Sequence, residues 1–215
     1  IDFSAWSEVI AAWLTFRNPN AVNNNTAVNP DGYTPRLFLK DRDFQVVAGA
    51  EGKDLFGFAW DLSSSFSRDN VSYYENSLNA SLGPASPTHF YIGALKFQEW
   101  TTNLDVTREV PTTWFAKPLF LAAGLEYRAD QFQIEAGEPA SYIDGRYSAP
   151  AGSPQAGVLF AGGSQGVTGF PISAAGTFKR NNTSAYLNIE QSLTQTWEVA
   201  LAGRFEHYSD FGDAK

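Results

Sequence analysis

One pentapeptide in the sequence has the spacing of a serine nucleophile. Residues 162–166 read Gly-Gly-Ser-Gln-Gly and match G-x-S-x-G, the motif that presents a serine on a sharp strand-to-helix turn. An esterase built on Ser164 would need a helix directly after the serine and His207 within hydrogen-bond reach of it. Residues 167–171, Val-Thr-Gly-Phe-Pro, cannot open that helix, because glycine and proline disfavour it. We therefore interpret the motif as a Gly/Ser loop and predict no catalytic residue and no enzyme activity.

The remaining chemical motifs point to neither a cofactor nor a bound metal. Asp210-Phe-Gly212 matches a metal-binding tripeptide of protein kinases, but the sequence lacks the glycine-rich loop, strand lysine and catalytic-loop motif that accompany it. His89 and His207 have no carboxylate at zinc-site or calcium-site spacing. With no Cys, disulfides, thiolate zinc sites and iron–sulfur clusters are excluded. His89 is predicted to lie in a long loop, where it is either solvated or in contact with a metal chelate.

Polar and charged side chains that alternate with apolar ones in strand-like runs are the main candidate for a functional surface. Glu126 with Arg128, and Arg204 with Glu206, stand two residues apart, which favours opposite charges that pair between neighbouring strands. The same groups could bind a polar ligand, so bracing and binding both stay open. The whole set is Asp61, Asn103, Asp105, Glu126, Arg128, Arg204 and Glu206.

Aromatic side chains in the predicted long loops are the second candidate. Their rings could stack on a sugar or on an aromatic chelate, and loops carry function disproportionately often. The rings belong to Tyr73, Tyr74, Phe90, Tyr91, Tyr142 and Tyr147. The candidate polar ligand contacts beside them are His89, Arg128 and Arg204.

Composition limits the class of protein that must position these groups. The chain has 215 residues, a net charge of −8, and 15% aromatic but only 18% charged residues. The charged share is below the ~25% usual for soluble domains, yet no apolar run approaches the ~20 residues that a membrane helix needs. The negative charge argues against non-specific nucleic-acid binding, which requires a basic face. Transmembrane helices and nucleic-acid partners are therefore not expected.

Period-2 alternation, typical of half-buried strands, recurs along the whole sequence. It predicts seven strands, and the connections between them alternate in length along an up-and-down meander. The predicted strands are residues 3–17, 42–51, 55–67, 100–110, 119–130, 183–191 and 197–208. The long connections are residues 18–39, 76–97 and 137–176, and the short ones are residues 52–54, 111–117 and 192–195.

This segregation of loop lengths is typical of an outer-membrane barrel, which has short turns at one end and long extracellular loops at the other. Runs longer than ten residues fit membrane-crossing strands, since globular strands average ~5–6 residues. Aromatic residues near predicted strand ends suit interfacial girdles: Trp114, Phe115, Trp197, Tyr73, Tyr74 and Tyr208. We predict an all-β, antiparallel up-and-down transmembrane β-barrel, with the apolar parity facing lipid and the polar parity facing a wet lumen.

Three stretches resemble TonB-dependent outer-membrane receptors of proteobacteria. Residues 76–95 and 136–145 look like extracellular loops of that family, and residues 202–212, Ala-Gly-Arg-Phe-Glu-His-Tyr-Ser-Asp-Phe-Gly, resemble one of its barrel strands. The resemblance covers most of residues 40–213 and is weakest before residue 40. It implies a 22-stranded barrel closed by an N-terminal plug domain. It also implies uptake of a scarce nutrient with energy from the inner-membrane TonB complex.

By this resemblance, residues 1–215 are one partial barrel domain of about seven strands and an interior segment of a longer chain. The plug, the TonB-contacting box and the terminal aromatic of the last strand are not in the sequence. The implied partners are outer-membrane lipid, the TonB complex through regions outside these residues, and a small-molecule or oligosaccharide ligand. An iron chelate such as a siderophore, cobalamin and an oligosaccharide all remain open.

One alternative is a soluble extracellular all-β module for carbohydrate binding or adhesion. It predicts that the apolar parity packs inward and the polar parity faces water.

A self-contained eight-stranded barrel is a variant of the membrane interpretation. The abrupt end of the sequence and the missing terminal aromatic count against that variant.

Overall fold

The computed structural model describes residues 31–153 and 155–214, together with the backbone of residues 2–10. These residues form one antiparallel sheet of eight strands in sequence order, each paired with the next. The strands are β1 Asp2–Ile10, β2 Arg36–Leu55, β3 Phe58–Asn76, β4 His89–Val110, β5 Leu119–Ala136, β6 Gly176–Ser192, β7 Glu198–Tyr208 and β8 Gly212–Ala214. The sheet is open, with β1 and β8 at its edges. In the described part of the chain, no helix has the length and apolar character needed to cross a membrane.

The predicted all-β meander is confirmed, and several predicted boundaries are wrong. Residues 52–54 belong to β2, and the tight turn comes later, at Phe56 and Gly57. Both turn residues have positive φ, 54° and 81°, which matches the right-handed twist of a two-residue hairpin. The Asp54 carboxylate accepts a hydrogen bond of 3.0 Å from the Gly57 N–H and supports this turn.

The long strands also extend further into the predicted loops. β2 begins at Arg36 and β4 at His89, so the connection between β3 and β4 is residues 77–88 rather than 76–97. The loop between β5 and β6 is long, as predicted. The connection between β7 and β8, residues 209–211, is short although it lies at the long-loop end. The strict alternation of long and short connections therefore ends at β7.

Strand register places the apolar parity of successive strands on one face. Leu62 pairs with Leu104, Leu104 with Leu125 and Leu125 with Ala185, which forms one continuous apolar row from β3 to β6. This face is open: Leu125 is 58% exposed and Leu201 70% exposed. The inward packing that the soluble-module alternative requires is therefore not observed. Exposed leucines in continuous rows are what a lipid-facing wall presents.

The height of this apolar face matches a membrane. On β2 it runs from Val46 to Leu55, about 30 Å of strand at ~3.4 Å per residue. A strand tilt of ~40° reduces this to roughly 25 Å, the height of a barrel's apolar band. Aromatic pairs border the band at the long-loop end, with Phe44–Phe66 and Trp100–Tyr127 ring centroids 5.7 and 6.3 Å apart. At the short-turn end the exposed aromatic residues are Phe56, Trp114, Phe115 and Trp197.

The buried side chains concentrate at the long-loop end of the sheet rather than along it. Residues 77–88 and 137–175 fold against each other and against the ends of β3, β4 and β5. We call these two loops the loop cap. Leu78, Phe90 and Ile92 are at most 1% exposed there, and Phe160 packs in the same region. The long loops thus form a packed unit held by its own apolar core.

Candidate functional site

Ion pairs brace the polar face of the sheet. The Arg204 guanidinium on β7 donates to Glu206 of the same strand at 2.6 Å and to Glu126 on β5 at 3.0 Å. The second contact spans β6, so this arginine joins β7 to β5. The contact of Arg204 with Glu126 lies between strands, as the bracing interpretation expects, whereas its contact with Glu206 lies within β7. Arg128 lies 3.4 Å from Asp130 of its own strand.

A second polar contact also crosses an intervening strand. The Tyr186 hydroxyl on β6 donates to Asp105 on β4 at 2.6 Å. The ring passes over Gly124 of β5, where an added Cβ would overlap both the ring and the Asp105 carboxylate. Glycine at position 124 therefore makes this contact geometrically possible. Both bridges lie on the face predicted to be the lumen wall.

Three carboxylates stand side by side near the short-turn end of the polar face. Glu51 pairs with Asp61 in register, and Asp61 pairs with Asp105. Together with Lys53 and Trp60 they line an open cavity of about 400 Å³. Asn103 lies in the adjoining row, opposite Glu126 in register. The predicted polar wall thus occupies one surface, but its members divide between bracing contacts and an acidic cavity.

The loop cap is joined by the side chain of Asn79. Its amide donates to the Ala140 carbonyl at 2.8 Å and to the Ile143 carbonyl at 2.9 Å. Its oxygen accepts from the Ser81 hydroxyl at 2.6 Å and from the Ser81 N–H at 3.2 Å. The residue is completely buried; its two contacts with the Ala140 and Ile143 carbonyls stabilise the docking of one loop on the other, and the two with Ser81 fix the turn of its own loop.

Glu75 is buried where β3 enters the loop cap. Its carboxylate accepts the Val167 N–H at 3.1 and 3.2 Å. Burial raises the pKa of this carboxyl above its ordinary value, while hydrogen bonds from Val167, Ser164 and Gly166 partly oppose the rise. Glu75 lies beyond the apolar band, at the long-loop end of β3. Its charge state is therefore coupled to the packing of the second loop.

Most of the aromatic side chains predicted to lie in loops are on strands. Tyr73 and Tyr74 belong to β3, and His89, Phe90 and Tyr91 belong to β4; the prediction that they are loop residues is wrong. The reason is that β3 and β4 continue as a paired ribbon above the apolar band, where neither face is uniformly apolar and the alternation fades. Phe90 is completely buried and is not retained as a candidate ligand contact.

Register places the remaining strand candidates on both faces of the sheet. The parity of the apolar face continues through Tyr74, His89 and Tyr91. The Tyr74 ring stacks on His89 with ring centroids 6.1 Å apart, and the Tyr91 hydroxyl donates to Glu135 at 3.0 Å. Tyr73 lies on the opposite parity, edge-on to Phe170 at 6.0 Å. Tyr142 and Tyr147 lie in the loop cap, where Tyr147 stacks on Phe160. The structure does not bring the predicted ligand contacts into one site, and their role stays a prediction.

One aromatic cluster on the polar face was missed from the sequence. Phe97, Phe132 and Phe178 pair in register across β4, β5 and β6, and they are 38%, 37% and 56% exposed. They line an open cavity of about 260 Å³ together with Asp130, Lys179, Arg180 and Asp210. The sequence feature that could have identified this cluster is parity, because each phenylalanine stands two residues from Glu99, Asp130 or Arg180, all on the polar face.

The floor of this aromatic cavity is fixed by Arg180. Its guanidinium donates to Asp210 at 2.8 Å and lies over the rings of Tyr208 and Phe211. Those two rings stack with centroids 4.3 Å apart. Exposed phenylalanines beside anchored charges, on a face otherwise polar, give a surface that can hold a ring-bearing ligand by stacking and direct its polar groups by hydrogen bonds.

The geometry that an esterase requires is not present around Ser164. Its hydroxyl donates to the carbonyls of Ser141 and Val167, at 3.1 and 2.6 Å. Within the described residues that follow, the next helical turn is a three-residue one that begins at Ile172. His207 instead shares a 2.7 Å hydrogen bond with Asp213. Ser164 is thus a packing residue of the loop cap, and the alternative enzyme interpretation is wrong on both of its structural requirements.

Comparison with known proteins agrees with this architecture. A family model described as TonB dependent receptor-like, beta-barrel, matches residues 5–215. The match therefore spans the strands, the loop cap and the aromatic cavity. No curated protein and no solved structure matches the chain significantly.

Proposed function

We propose that this chain forms the ligand-binding part of a nutrient-uptake receptor, on the premise that it belongs to the TonB-dependent receptor β-barrel family. Proteins of this family are transport receptors of the bacterial outer membrane, not enzymes. The finer proposal concerns the cargo and its energy source. A scarce nutrient, an iron chelate, cobalamin or an oligosaccharide, is captured at the long-loop end and passes inward with energy from the TonB complex.

The aromatic cavity carries this proposal. Phe97, Phe132 and Phe178 expose their rings on the polar face of the described sheet. Exposing apolar rings to water is unfavourable, and a ligand that covers them recovers that cost. The cavity lies between the loop cap and the braced polar wall, on the path from outside to lumen. A nutrient that carries a flat ring or the apolar face of a sugar ring fits it.

Capture at this site needs little rearrangement of the wall. Arg180 is held by Asp210 and by two stacked rings, so its position does not depend on the ligand. The Arg204 and Tyr186 bridges keep the strands below the cavity in register. A pre-organised surface of this kind lowers the entropic cost of binding. Release then requires a change elsewhere, which is the step that the TonB complex would drive.

The test is an uptake assay with the full-length receptor under nutrient limitation. Cells receive a ferric chelate, cyanocobalamin or an oligosaccharide as sole source, with TonB present or deleted. Replacement of Phe97, Phe132 and Phe178 by alanine is expected to raise the half-saturating concentration of the transported compound at least about tenfold. Phe66→Ala with Phe205→Ala, on the lipid-facing side, is the control and should leave uptake unchanged.

Three outcomes would contradict the proposal, each at a different point. Uptake that persists without TonB would contradict the energy source. If the triple variant kept the wild-type half-saturating concentration, the aromatic cavity would not be the ligand site. If the receptor imported none of the compounds, the uptake function itself would be contradicted.

A further inference from the structure

Charge is segregated between the two faces of the sheet just above the apolar band. On the lipid-facing parity, two adjacent rows across β2–β6 contain four cations and no carboxylate, although the chain carries a net charge of −8. The cations are Arg42, Arg68, Lys96 and Lys179, and we call them the basic belt; Lys96 forms an ion pair with Glu135 of the next row on the same face. At the same height on the polar face stand carboxylates: Asp41, Asp43, Asp69, Glu99 and Asp130.

Two members of the basic belt converge on one cavity. Arg42 and Arg68 line an open cavity of about 300 Å³ with Phe44 and Asn70. They are diagonal neighbours across β2 and β3, because Arg42 pairs with Asn70 and Phe44 pairs with Arg68. Both arginines are exposed, and the described residues contribute no carboxylate to this cavity. Two like charges side by side without a counter-charge are unfavourable unless an anion joins them.

The neighbouring positions add hydrogen-bond donors rather than acids. Gln98, Gln131 and Gln133 fill the two rows between the arginines and Lys179. The side-chain oxygen of Asn70 is buried without a hydrogen-bond partner among the described residues. Guanidinium forks and amide groups together suit a phosphate that carries further hydroxyl-bearing groups. The side chains of the cavity therefore favour an oxyanion such as phosphate over an uncharged apolar group.

The height of the basic belt identifies where that anion resides. Arg68 is one row above Val46 and Phe66, the last apolar row, and Phe44 of the cavity contacts Phe66 at 5.7 Å. The cavity thus continues the lipid-facing surface directly past its aromatic border. Side chains at this level meet lipid headgroups, not the lumen.

We propose that Arg42 and Arg68 bind the phosphate of a lipid headgroup in the leaflet on the long-loop side. The occupant is a phosphate-bearing lipid, held by its acyl chains against the apolar band and by its phosphate in the Arg42–Arg68 cavity. This site is separate from the aromatic cavity, which lies on the opposite face. It does not depend on which nutrient is transported.

The experiment uses the full-length receptor in detergent, titrated with diphosphoryl lipid A and observed by native mass spectrometry. Arg42→Gln with Arg68→Gln is expected to weaken lipid binding roughly 30-fold, because two basic side chains near the headgroup are lost. The matched control is Lys53→Gln with Lys117→Gln, which removes the same charge at the short-turn end. The control should bind the lipid within about twofold of wild type.

Each other outcome would overturn the proposal. Equal binding by wild type and the arginine variant would exclude this cavity as the site. Equal loss in both double variants would mean that only net charge matters. Displacement of the lipid by an equal concentration of inorganic phosphate would identify a free-anion site instead of a lipid site. Unchanged thermal unfolding of both variants in detergent without lipid shows that each is folded.

Discussion

At the scale of a single residue, Gly124 controls the contact between two strands that are not neighbours. Alanine at this position would overlap the Tyr186 ring and displace its hydroxyl from Asp105. We expect Gly124→Ala to lower the free energy of unfolding of the full-length receptor by about 1–3 kcal/mol. Gly203→Ala is the control, because an added Cβ there meets no atom within 4 Å. Thermal unfolding in detergent measures both, and equal stability would contradict the steric argument.

Glu75 gives a residue-scale prediction about pH. Its folded-state pKa is raised from 4.5, so the docked cap binds the proton more tightly than the open chain does. The contribution of Glu75 to the stability of the loop cap is therefore fully present at low pH, and it is lost as pH rises through the folded-state pKa of this carboxyl. Hydrogen exchange of the amides around Val167, corrected for intrinsic rates, should show stronger protection at about pH 5 than at about pH 7.5. Glu75→Gln should abolish this difference, and Glu109→Gln should keep it.

Some residue contacts follow from sequence and others do not. The alternation places Arg204 and Glu206 on one face of one strand, and opposite charges on that face favour bracing contacts. The reach of Arg204 to Glu126 across β6 depends on strand register, which alternation does not specify. Phe132 and Phe178 were overlooked because the predicted strands end at residue 130 and begin again at residue 183, so neither phenylalanine was assigned to a face, although their parity is that of Asp130 and Arg180.

At the scale of elements, the loop cap depends on one buried amide. Asn79→Ala would leave the Ala140 and Ile143 carbonyls without their donors. Each unsatisfied buried group costs about 1–3 kcal/mol, and two carbonyls are affected, so amides in residues 137–175 should exchange at least roughly 30-fold faster. Asn181→Ala, at an exposed position on β6, should leave these rates unchanged. Unchanged exchange in the Asn79 variant would mean that the two loops dock without it.

The centre of β2 was predictable and both of its ends were not. Alternation predicts residues 42–51, but Gly-Lys-Asp at residues 52–54 has the composition of a turn and nevertheless continues the strand. From Arg36 to Asp41 polar residues occur at both parities, so the signal fades. The loop cap could not be predicted, since its core comes from segments far apart in sequence.

At the scale of the whole molecule, the orientation of the wall is directly testable, because the chain contains no Cys. Leu121 and Leu201 flank Ile189 in one row, while Ala122 and Ala202 flank Asn188 in the adjoining row of the other face. Single cysteines at Leu121 and Leu201 should be quenched by a lipid-phase reagent. Those at Ala122 and Ala202 should react only with a water-soluble thiol reagent. The reverse pattern would contradict the assignment of the two faces.

The loop cap also determines what kind of epitope the long-loop end presents. Asn79 joins segments that are 61 and 64 positions apart in the chain, so the exposed surface of the cap is a composite of two loops. An antibody raised against the intact receptor would recognise this shape, whereas a synthetic peptide of either loop would not reproduce it. Substitutions in one loop are correspondingly constrained by the contacts that the other loop must keep.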